Sequence, residues 1–247
     1  MKFYPFILLL FVYNICFSQA VPKEIEILKI NASPVIDGVL DEPFWQNTDL
    51  ANDFVMFEPG DGGAERNNKK TTVRVAYDDE AIYFGATLYD DTPDKVPMEF
   101  GNRDQFGNTD FFLISINPNN DSQNDTKFVV QSTGAQGDAK VANGDEDFTW
   151  NAVWYSKVKF NKDSWVVEIK IPYSALRFST NVETWGINFF RRIHYINEKY
   201  VWNYIDKSKG EVTQYSGLLT GIKNIEAPTR LSFSPYASVS LTTFDGN

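Results

Sequence analysis

The chain has 247 residues, of which 43% are hydrophobic and 15% aromatic. This length and composition allow a sizeable core in one large all-β domain or in two small ones. The formal net charge is −10 and the isoelectric point is about 4.7. Such a surface repels phosphate backbones, so nucleic acid is excluded as an expected partner. An acidic surface is compatible with neutral glycans or bound cations but indicates neither.

The first twenty residues have the features of a secretory signal peptide. Lys2 supplies a positive start, an apolar run extends from Phe6 to Val12, and small residues precede a cleavage position at Ala20. A membrane anchor is the alternative, although the run is short for a span. Cys16 lacks the small preceding residue of a lipid-attachment site. It is the one cysteine of the chain, so cleavage near Ala20 leaves a mature protein without cysteine. We expect an exported protein without disulfides, in the periplasm or at the outer membrane or cell surface of a Gram-negative bacterium.

A distinctive run of residues spans positions 34–45. Val35-Ile36 is predicted to end a short strand, and Asp37-Gly38 is a turn signal because glycine accepts a positive φ. Asp41 is predicted to cap a helical turn that starts with Glu42-Pro43. Trp45 follows one turn later, and we expect it to pack back as an anchor.

From residue 21 to about 227 the chain has the pattern of successive short strands. Thr72–Tyr77 and Ile82–Leu88 alternate around a polar turn and are predicted to form a hairpin. Pro172–Leu176 is predicted to form one short helical turn. This pattern predicts an all-β fold, a jelly-roll-like β-sandwich, as one domain over residues 21–227. The remaining strands are predicted at Asp110–Ile116, Lys127–Gln131, Val153–Phe160, Trp165–Ile171, Gly186–Ile193, Tyr200–Ile205 and Gly217–Ile222.

Oxygen-rich loops suggest calcium as a bound ion. The loop 117–125 has an oxygen-bearing side chain at every odd position, and calcium takes six to eight oxygen ligands. A second acidic cluster lies at the two ends of the predicted strand 82–88. A solvated loop is the alternative for both. The candidate ligands are Asn117, Asn119, Asp121 and Asp125 in the loop, and Asp78 and Asp90 in the second cluster.

Nucleophilic catalysis and zinc chemistry both have few candidate residues. His194 is the one histidine of the chain, and it follows two arginines, which disfavour a protonated base. Zinc sites usually need several histidines or cysteines. A carboxylate pair of the glycosidase type remains open, because acidic residues are abundant, but no pair stands out by spacing.

Aromatic residues with polar neighbours are the candidates for sugar binding. A sugar packs its C–H face on an aromatic ring, while amides, carboxylates and arginine bind its hydroxyl groups. Three tryptophans, at positions 45, 165 and 185, are expected to be core anchors. A core or rim position is the alternative for each binding candidate, and a pairing of Arg103 with a carboxylate is the alternative for that residue. The candidates are Trp150, Trp154, Trp202, Asn203 and Arg103.

The segment 228–247 differs from the preceding chain. Apolar and polar residues alternate strictly from Leu231 to Leu241, over about the length of one membrane-spanning β-strand. A soluble edge strand gives the same pattern, so both interpretations stay open. If this segment is a barrel strand, the sequence is a piece of a longer protein, because one strand cannot close a barrel.

Four runs of the chain resemble family 9 carbohydrate-binding modules, in the order in which that family has them. The resemblance covers roughly Ile25 to Ile222 and implies a β-sandwich, sugar binding rather than catalysis, and bound calcium. It also places Trp202 near the position of one of the family's stacking tryptophans. The four runs are Pro34–Trp45, Val73–Phe84, Asp110–Asn117 and Trp165–Pro172.

Four further runs resemble bacterial envelope proteins that have this module at the N-terminus and an outer-membrane β-barrel after it. This resemblance implies a missing membrane barrel as a partner of the domain. The runs are Arg103–Gly107, Tyr173–Phe178, Trp185–Phe189 and Leu231–Tyr236.

We therefore expect a non-catalytic carbohydrate-binding module of a secreted or outer-membrane envelope protein, linked to polysaccharide catabolism. Its expected partner is an oligo- or polysaccharide. One alternative is a hydrolytic, or glycoside hydrolase-associated, domain that acts on O-glycosyl bonds. Another is a structural module that accompanies the barrel. A haem-binding relative would need axial ligands such as Met56 or Met98.

Overall fold

Two β-sheets pack face to face around a shared apolar core. The computed structural model describes residues 21–227. The predicted signal peptide, residues 1–20, and the alternating segment, residues 228–247, lie outside the described residues. Within residues 21–227, no helix has the length and apolar character needed to cross a membrane.

The first sheet has nine strands, in the order β1-β14-β12-β6-β7-β8-β9, with β13 beside β12 and β3 beside β13. The second has five strands, in the order β10-β11-β5-β4-β2. The strands are β1 Glu24–Glu26, β2 Leu28–Lys29, β3 Val55–Glu58, β4 Thr71–Tyr77, β5 Ala81–Tyr89, β6 Phe111–Asn117, β7 Asn124–Gln131, β8 Gln136–Ala142, β9 Asp145–Asp147, β10 Tyr155–Phe160, β11 Ser164–Pro172, β12 Trp185–Ile193, β13 Glu198–Val201 and β14 Gly217–Thr220.

The predicted β-sandwich is confirmed, as is the β4–β5 hairpin with its Val73↔Ala86 register. Helical structure is limited, among the described residues, to short 3-10 turns at Pro43–Asn47, Pro93–Lys95, Tyr173–Ala175 and Val212–Tyr215. The third of these lies in the helical turn predicted after Pro172. The strand predicted at Tyr200–Ile205 is wrong in its bounds, because β13 starts at Glu198 and ends at Val201.

The core between the sheets is built from alternate residues of the long strands. Trp165, Val167 and Ile169 of β11 point inward, because side chains alternate across a strand, and they pack with Trp185 and Phe189 of β12. The indoles of Trp165 and Trp185 are fully buried, as expected. Trp45 is also fully buried, but in a second cluster on the outer face of the five-stranded sheet, with Ala76 and Tyr83.

Residues 34–45, called the strap from here on, cross this outer face. Gly38 has φ +85°, in agreement with the predicted turn. The structure does not place Val35-Ile36 in a strand, and Asp41 does not cap the helical turn. The 3-10 turn begins one residue later, after Glu42, whose carboxylate accepts hydrogen bonds from the Val35 N–H and the Trp45 indole, both at 3.0 Å. Hydrogen bonds to the Glu42 side chain within the strap itself therefore replace the predicted cap by Asp41.

Candidate functional site

An open groove of about 760 Å³ lies where the strap, the edge strand β10 and the β7–β8 turn come together. The strap and β10 contribute side chains, the turn contributes the backbone of a glycine, and β8, β11, the loop before β6 and the residue before β10 contribute one side chain each. The groove is lined by Ile36, Arg103, Gly134, Gln136, Trp154, Tyr155, Ser156 and Lys170. Of the sequence-predicted binding residues, the structure brings Arg103 and Trp154 together in this groove.

Tyr155 is the exposed aromatic residue of the groove. It is the first residue of β10, its side chain is 53% exposed, and its register partner on β11 is Lys170. Lys170 forms an ion pair with Glu80 at 3.6 Å. The groove therefore offers an accessible ring beside a cation whose charge is already partly balanced.

Arg103 holds the opposite wall of the groove in place. Its Nε donates to Asn151 Oδ1 at 3.0 Å and its Nη1 to Gln136 Oε1 at 2.9 Å. Its Nη2 donates to the Ala152 carbonyl at 3.0 Å and to the buried carboxylate of Asp138. An arginine has five N–H donors, so these bonds leave one Nη1 N–H for a ligand.

The alternative proposed for Arg103 from the sequence, a pair with a carboxylate, is therefore present in the structure. The partner is Asp138 rather than the neighbouring Asp104, whose Oδ2 lies 3.8 Å from Arg103 Nε. Because this pair also fixes Gln136, the locking role and a binding role are compatible.

Trp154 forms the base of the groove rather than an exposed platform. Its side chain is 4% exposed, its ring meets Phe128 edge to face at 5.3 Å, and the Arg103 guanidinium lies 6.0 Å from its centroid. Trp150 is half-buried and lies outside the set of lining residues, with Lys140 Nζ 4.2 Å from its ring centroid. Neither ring presents a free face to the groove.

The structure separates Trp202 and Asn203 from this groove. Trp202 is 3% exposed and packs on Phe189 at 5.5 Å between the sheets. Asn203 Oδ1 accepts the Lys23 N–H at 2.8 Å, and its amide donates to the Tyr215 carbonyl at 2.8 Å. The core alternative therefore describes Trp202, and Asn203 bridges two chain segments.

In the loop 117–125, the predicted calcium ligands are engaged with protein donors. Asp121 Oδ1 accepts the N–H groups of Gln123 and Asn124, at 2.9 and 2.8 Å, and the Asn117 amide at 3.0 Å. Asn119 Oδ1 accepts the Ser179 N–H at 3.2 Å. Asp125 is buried and accepts the Ser115 hydroxyl at 2.6 Å. These bonds close the loop and tie it to its surroundings.

The second cluster is equally engaged. Asp78 accepts the hydroxyls of Ser33 and Tyr83 at 2.6 and 2.7 Å, besides two backbone N–H groups. Burial opposes the change, yet these hydrogen bonds hold the pKa of Asp78 below its usual value. Asp90 pairs with Lys69 in the interior. No group of three or more His, Cys, Asp or Glu side chains that fits a metal occurs in residues 21–227, and calcium stays a prediction.

Sequence reasoning missed the part of the groove that edge strand β10 and its neighbour β11 contribute. Tyr155, Ser156 and Lys170 were assigned to strands but not to a site. The register of β10 against β11 places Tyr155 opposite Lys170 on the outer face, and that register is a long-range property. Gln136 begins a strand, β8, that was not predicted at all, because its sequence is mostly small and polar.

This arrangement is that of a β-sandwich with a polar groove and an exposed aromatic ring. Residues 36–193, more than half of the chain, match the model of the family described as carbohydrate family 9 binding domain-like. The chain belongs to this family. No curated protein matches the chain.

Solved structures show the same fold at low identity. A family 9 carbohydrate-binding module from Caldicellulosiruptor kristjanssonii in complex with glucose is 17% identical, with a TM-score of 0.59, covering 84% of this chain and 100% of that one. Its complex with cellotriose gives 18% identity, a TM-score of 0.60 and coverage of 86% and 100%. A putative carbohydrate-binding protein from Bacteroides uniformis is 12% identical, with a TM-score of 0.64, and the match covers 81% of this chain and 99% of that one.

Proposed function

We propose that this domain binds an oligosaccharide in the groove and does not turn it over. The observation that carries the proposal is the exposed Tyr155 ring facing a wall of ordered polar groups. A sugar packs its C–H face on such a ring and directs its hydroxyl groups to the polar wall. Family membership supports the same conclusion.

The charges of the groove favour a neutral sugar. Arg103 is paired with Asp138 and Lys170 with Glu80, so each cation of the groove has a carboxylate beside it and the groove has, among the described residues that line it, no unpaired positive charge to attract an acidic ligand. The Gln136 amide nitrogen already donates to Ser156 Oγ at 2.9 Å, so the Ser156 O–H, the second lone pair of Gln136 Oε1 and the remaining Arg103 N–H can serve the hydroxyl groups of the sugar. The solved relatives that carry glucose and cellotriose suggest gluco-oligosaccharides as the first ligands to test.

The test is calorimetric titration of the purified protein with gluco-oligosaccharides, with and without calcium. We expect saturable heat from the wild type and an affinity at least about tenfold lower for Tyr155→Ala, since loss of ring stacking and apolar contact is worth about 1.4 kcal/mol or more. Tyr89→Ala is the matched control, because Tyr89 is a similarly exposed tyrosine, at 42%, in a smaller cleft with Asn67 and Asp163.

Each other outcome contradicts a defined part of the proposal. Affinity lost in Tyr89→Ala and kept in Tyr155→Ala would move the site to the smaller cleft. Release of reducing sugar from the titrated oligosaccharide would indicate a glycosidase. A folded protein that gives no heat with any sugar would favour the structural module.

We further propose that the protein acts in the bacterial envelope, in polysaccharide catabolism, as the module before an outer-membrane barrel. The signal-like residues 1–20 and the alternating residues 231–241 support this context. Fractionation of cells that express the full-length gene tests it. Recovery of the protein in the cytoplasm would contradict it.

A further inference from the structure

Glu168 is a buried carboxylate at the centre of the strap's contact with β11. Its side chain is fully buried on the outer face of the five-stranded sheet. Its Oε2 accepts the N–H groups of Asp37 and Gly38, at 2.9 and 3.0 Å. Its Oε1 is buried and has no hydrogen-bond partner within residues 21–227. This one side chain therefore fastens the strap at the turn.

The strap has little freedom to take another path at this point. A Cβ on Gly38 would lie 3.1 Å from Lys159 Cβ, and a Cβ on Gly85 would lie 2.6 Å from Leu40 Cδ2. The strap thus contacts the sheet closely on both sides of Glu168. Ile36, immediately before the fastened residues, lines the groove, as does Lys170, two residues after Glu168 on the same face of β11.

We propose that Glu168 is a positioning residue, which clamps the strap to β11 and makes the Ile36 wall of the groove depend on the protonation of its own carboxyl group. Its effect on sugar affinity rests on the function proposed above. The clamp itself does not.

The charges around the clamp come from four elements. The strap contributes Asp37 and Glu42, and β10 contributes Lys157, the register partner of Glu168, and Lys159. On β11 and β4 the charged residues of this face are Lys170 and Arg74, which are engaged with Glu80 and with Thr48. The two acidic residues of the strap disfavour a negative charge on Glu168.

Burial is the largest cause that raises the pKa of Glu168, and the two acidic residues of the strap raise it further. The two backbone hydrogen bonds lower it, and the resulting pKa is about 7. A strap that lifts off would expose the carboxyl to water, where its pKa is the ordinary 4.5. The closed strap therefore binds the proton more tightly than the open one. By linkage, acid favours the closed strap, and closure is lost progressively as the pH rises from about 4.5 to about 7; above pH 7 both states are ionised and the balance no longer changes.

The test is sugar affinity from pH 5 to pH 9 for the wild type and two variants. We expect the wild-type affinity to fall by about threefold to tenfold between pH 5 and pH 7 and to stay constant above that range. Glu168→Gln cannot ionise, so it should keep the acid-side affinity at every pH. Glu65→Gln is the matched control. Burial also raises the pKa of Glu65 to about 7, but Glu65 bonds Thr71 and does not line the groove.

A wild-type affinity that is flat with pH, or a Glu168→Gln profile that matches the wild type, would overturn the proposal. A second readout needs neither sugar nor variant: amide hydrogen exchange at Asp37 and Gly38, corrected for intrinsic rates, should accelerate from about pH 5 to about pH 7 and level off above it. Exchange that titrates without any sugar binding would contradict the proposed function alone. Sugar binding with pH-independent exchange would contradict the clamp alone.

Discussion

At the scale of single residues, the groove depends on side chains that are fixed by hydrogen bonds to residues beneath its surface. Arg103 lines the groove, but most of its donors face Asn151, Ala152 and the buried Asp138. Asp138 in turn accepts the Ala152 N–H at 2.6 Å. Arg103 therefore lines the groove and also stabilises the structure beneath it, so its removal affects both.

We predict that Arg103→Ala lowers the free energy of unfolding by about 3 kcal/mol, because it leaves the Asp138 carboxylate buried and unpaired. Urea unfolding measures this. Arg192→Ala is the control, since Arg192 forms a longer ion pair, 4.0 Å from Glu58, which is half exposed. The control should lose about 1 kcal/mol or less. Equal losses in the two variants would show that Asp138 is not the cause.

At the scale of elements, the strap and β11 depend on each other. Alternation along β11 turns Val166, Glu168 and Lys170 away from the core that Trp165, Val167 and Ile169 enter. It could not show that this outer face is covered, because the covering residues lie far away in the sequence. The strap leaves Glu168 fully buried, and the packing of Leu40 on Gly85 requires that β5 has no side chain there.

We predict that Gly85→Ala destabilises the protein by about 1–3 kcal/mol, because its Cβ would lie 2.6 Å from Leu40 Cδ2 and 2.9 Å from Leu40 Cδ1, so that the Leu40 side chain would have to leave its packed position. Gly63→Ala is the matched control, since nothing lies within 4 Å of its Cβ position. That variant should stay within about 0.5 kcal/mol of the wild type. Urea unfolding of both variants measures the difference. A Gly85→Ala variant with the wild-type free energy of unfolding would mean that the strap packs loosely.

The same dependence on distant partners separates what could be predicted from what could not. Long alternating strands such as β5 and β11, and the buried Trp45, Trp165 and Trp185, follow from local pattern. The position of Trp202 does not, because an aromatic residue after a strand fits the core and a sugar platform equally well. Its packing on Phe189, which only the structure shows, assigns it to the core. Tyr155 has no local signal of its own either, since its exposure follows from the edge position of β10.

At the scale of the whole molecule, we predict a maximum of stability at mildly acidic pH. Burial raises the pKa of Glu65 and of Glu168 to about 7, and that of Asp110 to about 6. The folded state then binds more protons than the unfolded state, so the free energy of unfolding falls as the pH rises from about 4 to about 7. Hydrogen bonds from Arg66 lower the pKa of Glu198, and those from Lys209 lower that of Asp206, so stability is also lost below about pH 4.

Urea midpoints from pH 3 to pH 8 measure this curve. We expect the maximum near pH 4. The double variant Glu65→Gln/Glu168→Gln should flatten the neutral side and leave the acid side unchanged. A midpoint that rises steadily toward pH 8 would contradict the buried carboxyl groups as its cause.

The parallel pairing of β1 with β14 has a consequence for the order in which the chain folds. Glu24 lies opposite Leu218 and Glu26 opposite Thr220, so β1 can pair only after β14, the last strand of the described residues, has been synthesised. The strap likewise cannot dock before Glu168 has been synthesised, 131 residues after Asp37. Contacts of such sequence separation make folding slow. An emerging chain would therefore stay open along its N-terminal edge until nearly all of the domain has passed.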